Sequence, residues 1–524
     1  MKYPIGIQTF EQIIKNGFVY VDKTDMVYSL ATEGKTYFLS RPRRFGKSLL
    51  LSTLKAYFLG KKELFTGLKI SNLEHDWQVH KVFHIDFNGV NFTIPDALEN
   101  CLNEYLSLWE QEYAIPTEIQ NTFGIRFEQI VKAACEQSGH GAVVLIDEYD
   151  KPLLDVLEQN PDLLAKNRET LKAFYSVFKR TDEFLRFVFL TGVTKFSQVS
   201  VFSGFNQPLD ISMLSKYESL CGITEKELYQ QFAKPIKEMA ETHECSEEDI
   251  RIQLKQRYDG YHFGEKMVDI YNPFSVLNAF YAQSIRDFWF ASGTPSYLIR
   301  LMNHFHEGID DLTGKYYSPD EFVNYKADTQ YPLPMIYQSG YLTIKGYERR
   351  RNRFLLDFPN SEVKNGFLTM VAAGYLSTKK NVSNVAQDLV FALEDGEPDR
   401  FRKLLTSFLA DIPYTARRKE NEREKERYFQ YTFYLLLRLM SVYTVYIEKE
   451  QSEGRVDCIV ETPQYVYIFE FKLDGTAKEA IQQITNKGYA RPYLTDKRSI
   501  VQIGVNFSSK TGTVEEWECN KIHK

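Results

Sequence analysis

Two sets of residues in this chain have the types and spacing of phosphate chemistry. In the first, Gly46-Lys47-Ser48 closes a loop that begins at Ser40, and Asp147-Glu148 follows about a hundred residues later. Glycine lets backbone N–H groups approach a phosphate, lysine reaches the β and γ oxygens as a point charge, and a serine hydroxyl ligates Mg2+. Adjacent Asp and Glu divide the work of triphosphate hydrolysis: Asp147 holds the cation, and Glu148 polarises the attacking water. In the second set, Asp457 lies thirteen positions before Glu470 in Glu470-Phe471-Lys472. Two carboxylates converging on a Mg2+-type cation, with Lys472 to orient or help deprotonate water, are the parts that phosphodiester hydrolysis needs.

Each set requires particular elements around it. The loop follows an apolar run, Thr36 to Leu39, and opens a helix-patterned stretch from Leu49 to Phe58, so a strand, a loop and a helix N-terminus are expected to hold an anion. The candidate nucleotide contacts are Arg43, Arg44, Phe45, Gly46, Lys47, Ser48 and Leu49, with Asp147 and Thr191. Ala142 to Ile146 is apolar without alternation, which predicts a parallel strand covered on both faces, with Asp147 and Glu148 where ligands bind at its C-terminal end. Arg186 to Gly192 reads as another such strand, placing the Thr191 hydroxyl to sense a γ-phosphate or position water. Arg43, Arg44, Arg180 and Lys195 are alternative sources of transition-state charge, and the sequence does not choose among them. Tyr20 to Thr24 either lines a base pocket or leads into a helix at Asp25 to Ala31, with Asp22 or Thr24 as its cap.

For the second set, Arg455 to Val460 and Tyr465 to Lys472 read as hairpin strands after Val445 to Glu448. Period-two alternation puts Val466, Ile468, Glu470 and Lys472 on one face, with Tyr465, Tyr467, Phe469 and Phe471 on the other. A carboxylate and an ammonium emerging from a doubly covered strand carry a desolvation cost unless paired, solvated or holding metal.

With 524 residues, 43% of them hydrophobic, the chain has material for several cores and two to four domains. Its formal charge of −6 argues against coating nucleic acid by bulk attraction, so backbone contacts must come from local basic patches. Six scattered cysteines without a C-x-x-C pair suit neither a disulfide framework nor a zinc site. The start lacks a signal-peptide core and no run approaches a membrane span, so a soluble cytoplasmic protein without membrane partners is expected.

The motifs YVDKT (20–24), RPRRFGKS (41–48), VLIDEYDKP (144–152) and TGVTKFS (191–197) resemble the AAA-ATPase-like family of P-loop proteins. Arg41, where the general motif has its first glycine, is part of that family's pattern. The resemblance continues through Tyr258 to Tyr261 and Tyr271 to Phe274, and implies an ATP-binding α/β core with added helices. Asn272-Pro273 has a sufficient local explanation as N-cap and first helical residue. Asp457 with Glu470-Phe471-Lys472 resembles the PD-(D/E)xK nuclease superfamily, with Val456 in place of the motif's proline. That resemblance implies a helix, three strands, a helix carrying Gln482 and Gln483, and a strand at Arg498 to Asn506; it matches Gln483 and Glu426 to positions of the fold.

The expected fold is α/β: a P-loop NTPase core with a parallel sheet over 1–280, a helical and winged-helix-like region over 281–380, and a restriction-endonuclease-like α/β domain over 381–524. In the middle, two strand-like runs flank Glu348 to Arg353, a hairpin tip with four arginines that either touches a phosphate backbone or is simply solvated. The function expected is an ATP-binding and ATP-hydrolysing protein coupled to a Mg2+-dependent nuclease acting on nucleic acid, DNA in the first instance, with homo-oligomerisation left open. The alternative is an ATP-switched regulator or scaffold whose nuclease-like domain binds without cutting.

Overall fold

The computed structural model describes residues 1–116, 121–157, 159–195, 208–289, 312–323, 331–376, 382–412, 436, 444–451 and 454–522. It divides into two compact units, Met1–Lys364 and Asn365–Lys524. The boundary expected at 380 falls outside the described residues.

The first unit is built on five strands: β1 (Thr36–Ser40), β2 (Val82–Asp86), β3 (Ala142–Asp147), β4 (Leu185–Gly192) and β5 (Leu209–Asp210). They pair in the order β2-β3-β4-β1-β5, and every pairing is parallel. All six residues of β3 are buried, as its unbroken apolar run requires of a strand with helices on both faces. Two helices flank the first motif, α1 (Thr24–Glu33) before β1 and α2 (Lys47–Phe58) directly after the loop. Asp22 braces the start of α1 by accepting from the Thr24 amide and hydroxyl and from the Lys69 amide. On the far side of the sheet runs α3 (Phe123–Ser138), capped by the Thr122 hydroxyl.

Downstream, the short strands β6 (Ile223–Thr224) and β7 (Ile270–Tyr271) pair beside a separate apolar core that includes Leu228, Phe232, Ile236, Ile250, Leu254 and Phe280. Helix α4 (Pro273–Ala282) starts as its sequence dictates: Asn272 Oδ1 accepts from the Phe274 and Ser275 amides, and Pro273 opens the helix. Then β8 (Lys315–Tyr317), β9 (Thr343–Glu348) and β10 (Arg353–Asp357) form an antiparallel sheet, order β8-β10-β9, with the arginine-rich turn as the β9–β10 hairpin tip. Helix α5 (Ser361–Leu376) begins in the first unit and ends in the second.

The second unit contains α6 (Val382–Glu394), α7 (Pro398–Ala410) and a five-stranded sheet ordered β11 to β15: Thr444–Gln451, Gly454–Glu461, Tyr465–Leu473, Ser499–Phe507 and Val514–Ile522. Only β13 and β14 pair in parallel, and α8 (Ala477–Asn486) is their crossover. Both faces of β13 are covered. Val466 and Ile468 share a core with Ile481 and Ile484 of α8. On the opposite face, the Tyr467 hydroxyl donates to Leu393 O, and Phe469 meets Phe401 of α7. Glu426 lies outside the described residues.

Candidate functional sites

The loop between β1 and α2 is shaped for close backbone approach to a ligand. Gly46, the N-cap of α2, sits at φ +94 with open space where a Cβ would stand, and no side chain caps the helix among the described residues. The first-turn amides, Ser48 and Leu49 among them, therefore face an uncapped positive helix end, which suits an anion. Lys47 is buried and donates from Nζ to Arg41 O at 3.0 Å and Pro42 O at 3.4 Å, while Glu148 Oε1 stands 3.5 Å away.

Arg41 explains how the loop does without its first glycine. Its guanidinium turns inward, donating to Ser40 O, Ser212 O and Tyr217 O, and lies 4.1 Å from the centre of the Phe263 ring. It braces the loop from beneath. Phe45 is likewise buried, edge-on to Tyr261 and Phe263, while Arg43 and Arg44 are exposed, the latter 5.2 Å over Phe274.

Strand order brings the acids to the loop. β4 lies between β1 and β3, so Thr191 at its end stands between the loop and Asp147. Its hydroxyl donates to Asp147 Oδ1 at 2.6 Å, and both residues are buried. Glu148 turns back toward Lys47 through a left-handed backbone, φ +50. The structure thus gathers Lys47, Asp147, Glu148 and Thr191 around one strand end. Among the other cations considered, Lys195 pairs with Asp210 and Arg180 with Glu128.

Two features of this region were not singled out from the sequence. Asp150, fully buried, accepts from the Val193 and Thr194 amides and the Thr194 hydroxyl at 2.6 to 3.1 Å, fixing the turn that follows β4. Burial, reinforced by Glu148, raises its pKa to about 6. Asp150→Ala leaves three buried donors without an acceptor and is expected to cost about 2–4 kcal/mol, read as a lower urea midpoint with an unchanged slope. The second feature is a relay: the Trp289 indole donates to Arg43 O at 3.1 Å, and the Trp289 amide donates to Glu362 on the first turn of α5 at 2.7 Å. Glu362 also accepts from Ser275 Oγ at 2.7 Å. Neither Asp150 nor this relay has a local signal beyond residue type, since each bond joins segments far apart in the chain.

In the second unit, β12 and β13 pair antiparallel with Cys458 opposite Phe469, so continuing the register sets Asp457 opposite Glu470 on one face. Asp457 Oδ2 accepts from the Phe471 amide at 2.8 Å. Glu470 is buried; its Oε1 accepts from Gln483 Nε2 of α8, while Oε2 has no hydrogen-bond partner among the described residues. Lys472 Nζ donates to Gln483 Oε1 at 2.7 Å and lies 3.8 Å from Glu470 Oε1. Burial first, and Asp457 second, push the Glu470 carboxyl up to about 8, against the pull of Lys472 and Gln483. Gly504, next to Glu470 on β14, makes this packing possible: a Cβ there would lie 2.3 Å from Ala477 O of α8. Gln482 is exposed and takes no part.

A buried carboxylate with one unpartnered oxygen, raised in pKa first by burial and then by a neighbouring carboxylate, is a site whose charge a divalent cation would neutralise. Among the described residues no cluster of three or more His, Cys, Asp or Glu forms, so Asp457 and Glu470 would be its acidic ligands. No described helix is long and apolar enough to cross a membrane.

The chain combines an AAA-ATPase-like P-loop domain with a C-terminal nuclease-superfamily domain. A family profile described as Predicted AAA-ATPase matches residues 4–202, and one described as PD-(D/E)XK nuclease superfamily matches residues 424–517. The chain is 35% identical over 525 residues to an uncharacterized protein in the vnfD 5' region of Azotobacter chroococcum mcd 1, with 98% of each chain covered. It belongs to the same family, AAA-ATPase-like proteins with a C-terminal PD-(D/E)XK nuclease superfamily domain. Domains of these two kinds generally imply nucleotide and divalent-metal use. Among solved structures, the chain is similar to the Aeropyrum pernix ORC1 protein in complex with DNA at 11% identity and a TM-score of 0.24, covering 90% of this chain and 92% of that one. It is also similar to the Aeropyrum pernix ORC2 protein (ADPNP-ADP complexes) at 13% identity and a TM-score of 0.23, covering 69% and 94% respectively.

Proposed function

We propose that the protein binds and hydrolyses ATP in its first unit and uses Mg2+ in its second to cleave phosphodiesters of nucleic acid, DNA in the first instance. The buried Glu470 carboxylate, opposite Asp457 and with an unpartnered oxygen, carries the nuclease reading. A divalent ion bound there supplies positive charge to the scissile phosphate and acidifies water. Lys472, held by Gln483, directs its ammonium toward the acidic pair and orients the attacking water. In the first unit, Gly46, Ser48 and Leu49 present amides to the phosphates, with Arg43, Arg44 and Phe45 completing the loop. Lys47 reaches the terminal phosphates, Ser48 and Asp147 hold Mg2+, Glu148 polarises water, and Thr191 fixes Asp147. The three-part division at 280 and 380 and a cytoplasmic location belong to this proposal. So does control of cleavage by nucleotide; within the first unit, Arg43 O is tied through Trp289 to Glu362.

The competing reading, an ATP-switched regulator or scaffold that binds without cutting, is favoured by the short acidic ligand set among the described residues. Proton release tests the metal site. With a carboxyl held near 8, Glu470 is mostly protonated at pH 7, and cation binding must displace that proton. Calorimetry of Mn2+ binding in buffers of different ionisation enthalpy should therefore show about one proton released at pH 7, with affinity rising about fivefold from pH 7 to pH 8. Without metal the sign reverses for stability, which is greatest below the carboxyl's ordinary value of 4.5 and declines as pH rises through about 8. Glu470→Gln removes the proton release; Mn2+ binding in the native protein without proton release contradicts the assigned site.

A further inference from the structure

The β9–β10 hairpin carries four arginines that neither proposed site uses. Arg349, Arg350, Arg351 and Arg353 are all exposed. The turn is ordered by bonds from the Arg351 amide to Glu348 O at 3.3 Å and from the Tyr347 hydroxyl to Asn352 Oδ1 at 3.3 Å. Its stalk is anchored by buried Ile344, Phe354 and Leu356, and the Tyr347 ring stacks on Phe354 at 4.6 Å. The arginines therefore project from a fixed base. Arg351 meets Glu348 at 3.6 Å with its side chain 70% exposed; the other three have no carboxylate within ion-pair distance among the described residues. In a chain of net charge −6, this is a local positive tip made of the side chain best suited to bidentate phosphate contact.

An aromatic surface lies beside it. Tyr316 of β8, 48% exposed, is opposite Leu355 of β10, and strand alternation places Arg353 on the same face. Gly346 of β9 lies on the other side of Leu355 and contributes no side chain; the Tyr316 hydroxyl comes within 3.7 Å of where its Cβ would be. The ring therefore reaches across β10 toward this bare floor, leaving an aromatic platform on the face that carries Arg353.

We propose that this hairpin and Tyr316 form a docking surface for single-stranded nucleic acid, the arginines holding successive phosphates while a base stacks on Tyr316. The proposal rests on the reading that the protein acts on nucleic acid, and it specifies a strand with unpaired bases, because a base within a duplex offers no free face to the ring.

Fluorescence anisotropy of full-length protein in EDTA tests it, using a labelled mixed-sequence DNA oligonucleotide, single-stranded or annealed to its complement, over a salt series. An Arg349→Ala, Arg350→Ala, Arg351→Ala triple variant should bind the single strand at least about tenfold more weakly, and its salt slope should be less steep by about 2, the value for three lost phosphate contacts. Tyr316→Ala should weaken single-strand binding about tenfold, leaving the slope and duplex binding as they were. Thermal unfolding and ATP binding of both variants should match the parent, since every altered side chain is exposed. Unchanged affinity and slope in the triple variant overturn the hairpin assignment, and equal losses on single and double strands with no effect of Tyr316→Ala overturn the single-strand specificity. Binding of the parent to phosphatidylserine vesicles through these arginines, but to neither DNA, makes the patch a membrane contact and defeats the proposal. A parent that binds neither DNA nor vesicles refutes the nucleic-acid reading itself, an outcome distinct from loss confined to the variants.

Discussion

Glu470→Gln and Lys472→Ala are each expected to lower Mg2+-dependent cleavage by about 10²- to 10³-fold, the scale of losing one group that stabilises charge in the transition state. Glu470→Gln is the more informative of the two. The native carboxyl is buried against Asp457 and held up to about 8, so making it neutral relieves a repulsion. The variant should be at least as stable as the parent at pH 8, and lost cleavage cannot then be ascribed to unfolding. Lys472 is partly exposed and is tied to the site through Gln483, so its truncation removes charge from the water-binding side without opening the core. Denaturation curves and single-turnover cleavage on the same preparations check both points. Cleavage at parental rates by both variants would remove Glu470 and Lys472 from the reaction.

Lys47→Ala should weaken ATP binding by about 10²-fold, matching loss of a charge-assisted contact of roughly 3 kcal/mol. The lysine is buried, contacts two loop carbonyls and faces Glu148, so its ammonium is held at the closing end of the loop. Because Lys47 belongs to the first unit, Mg2+-dependent cleavage measured without nucleotide should stay at the parental rate, while any effect of ATP on it disappears. Equilibrium titration with a fluorescent ATP analogue gives the affinity. Unchanged affinity would show that the loop is not the nucleotide site.

Local pattern reveals the strands of both sites. The apolar run from Ala142 indicates a doubly covered strand, and β3 is buried along its whole length. Alternation in β13 separates the Val466 face, which receives α8, from the Tyr467 face, which receives α6 and α7. Contacts between segments distant in sequence leave no such trace. That β4 enters the sheet between β1 and β3, bringing Thr191 onto Asp147, depends on pairing energies summed over the whole sheet. The inward turn of Arg41 depends on carbonyls of Ser212 and Tyr217, and the anchoring role of Asp150 on a turn more than forty residues away. The sequence shows a basic loop and an acidic turn; only the fold shows which charges gather at the strand ends and which brace the backbone.

The most direct test is a cleavage panel of single-stranded, double-stranded and branched DNA with Mg2+, with and without ATP, using the parent, Lys47→Ala and Glu470→Gln. The parent should cleave at least one substrate with Mg2+ at a rate that ATP changes, Lys47→Ala should lose the ATP effect, and Glu470→Gln should lose cleavage. Absence of Mg2+-dependent cleavage of all three substrates, with ATP present or absent, would contradict the proposed function.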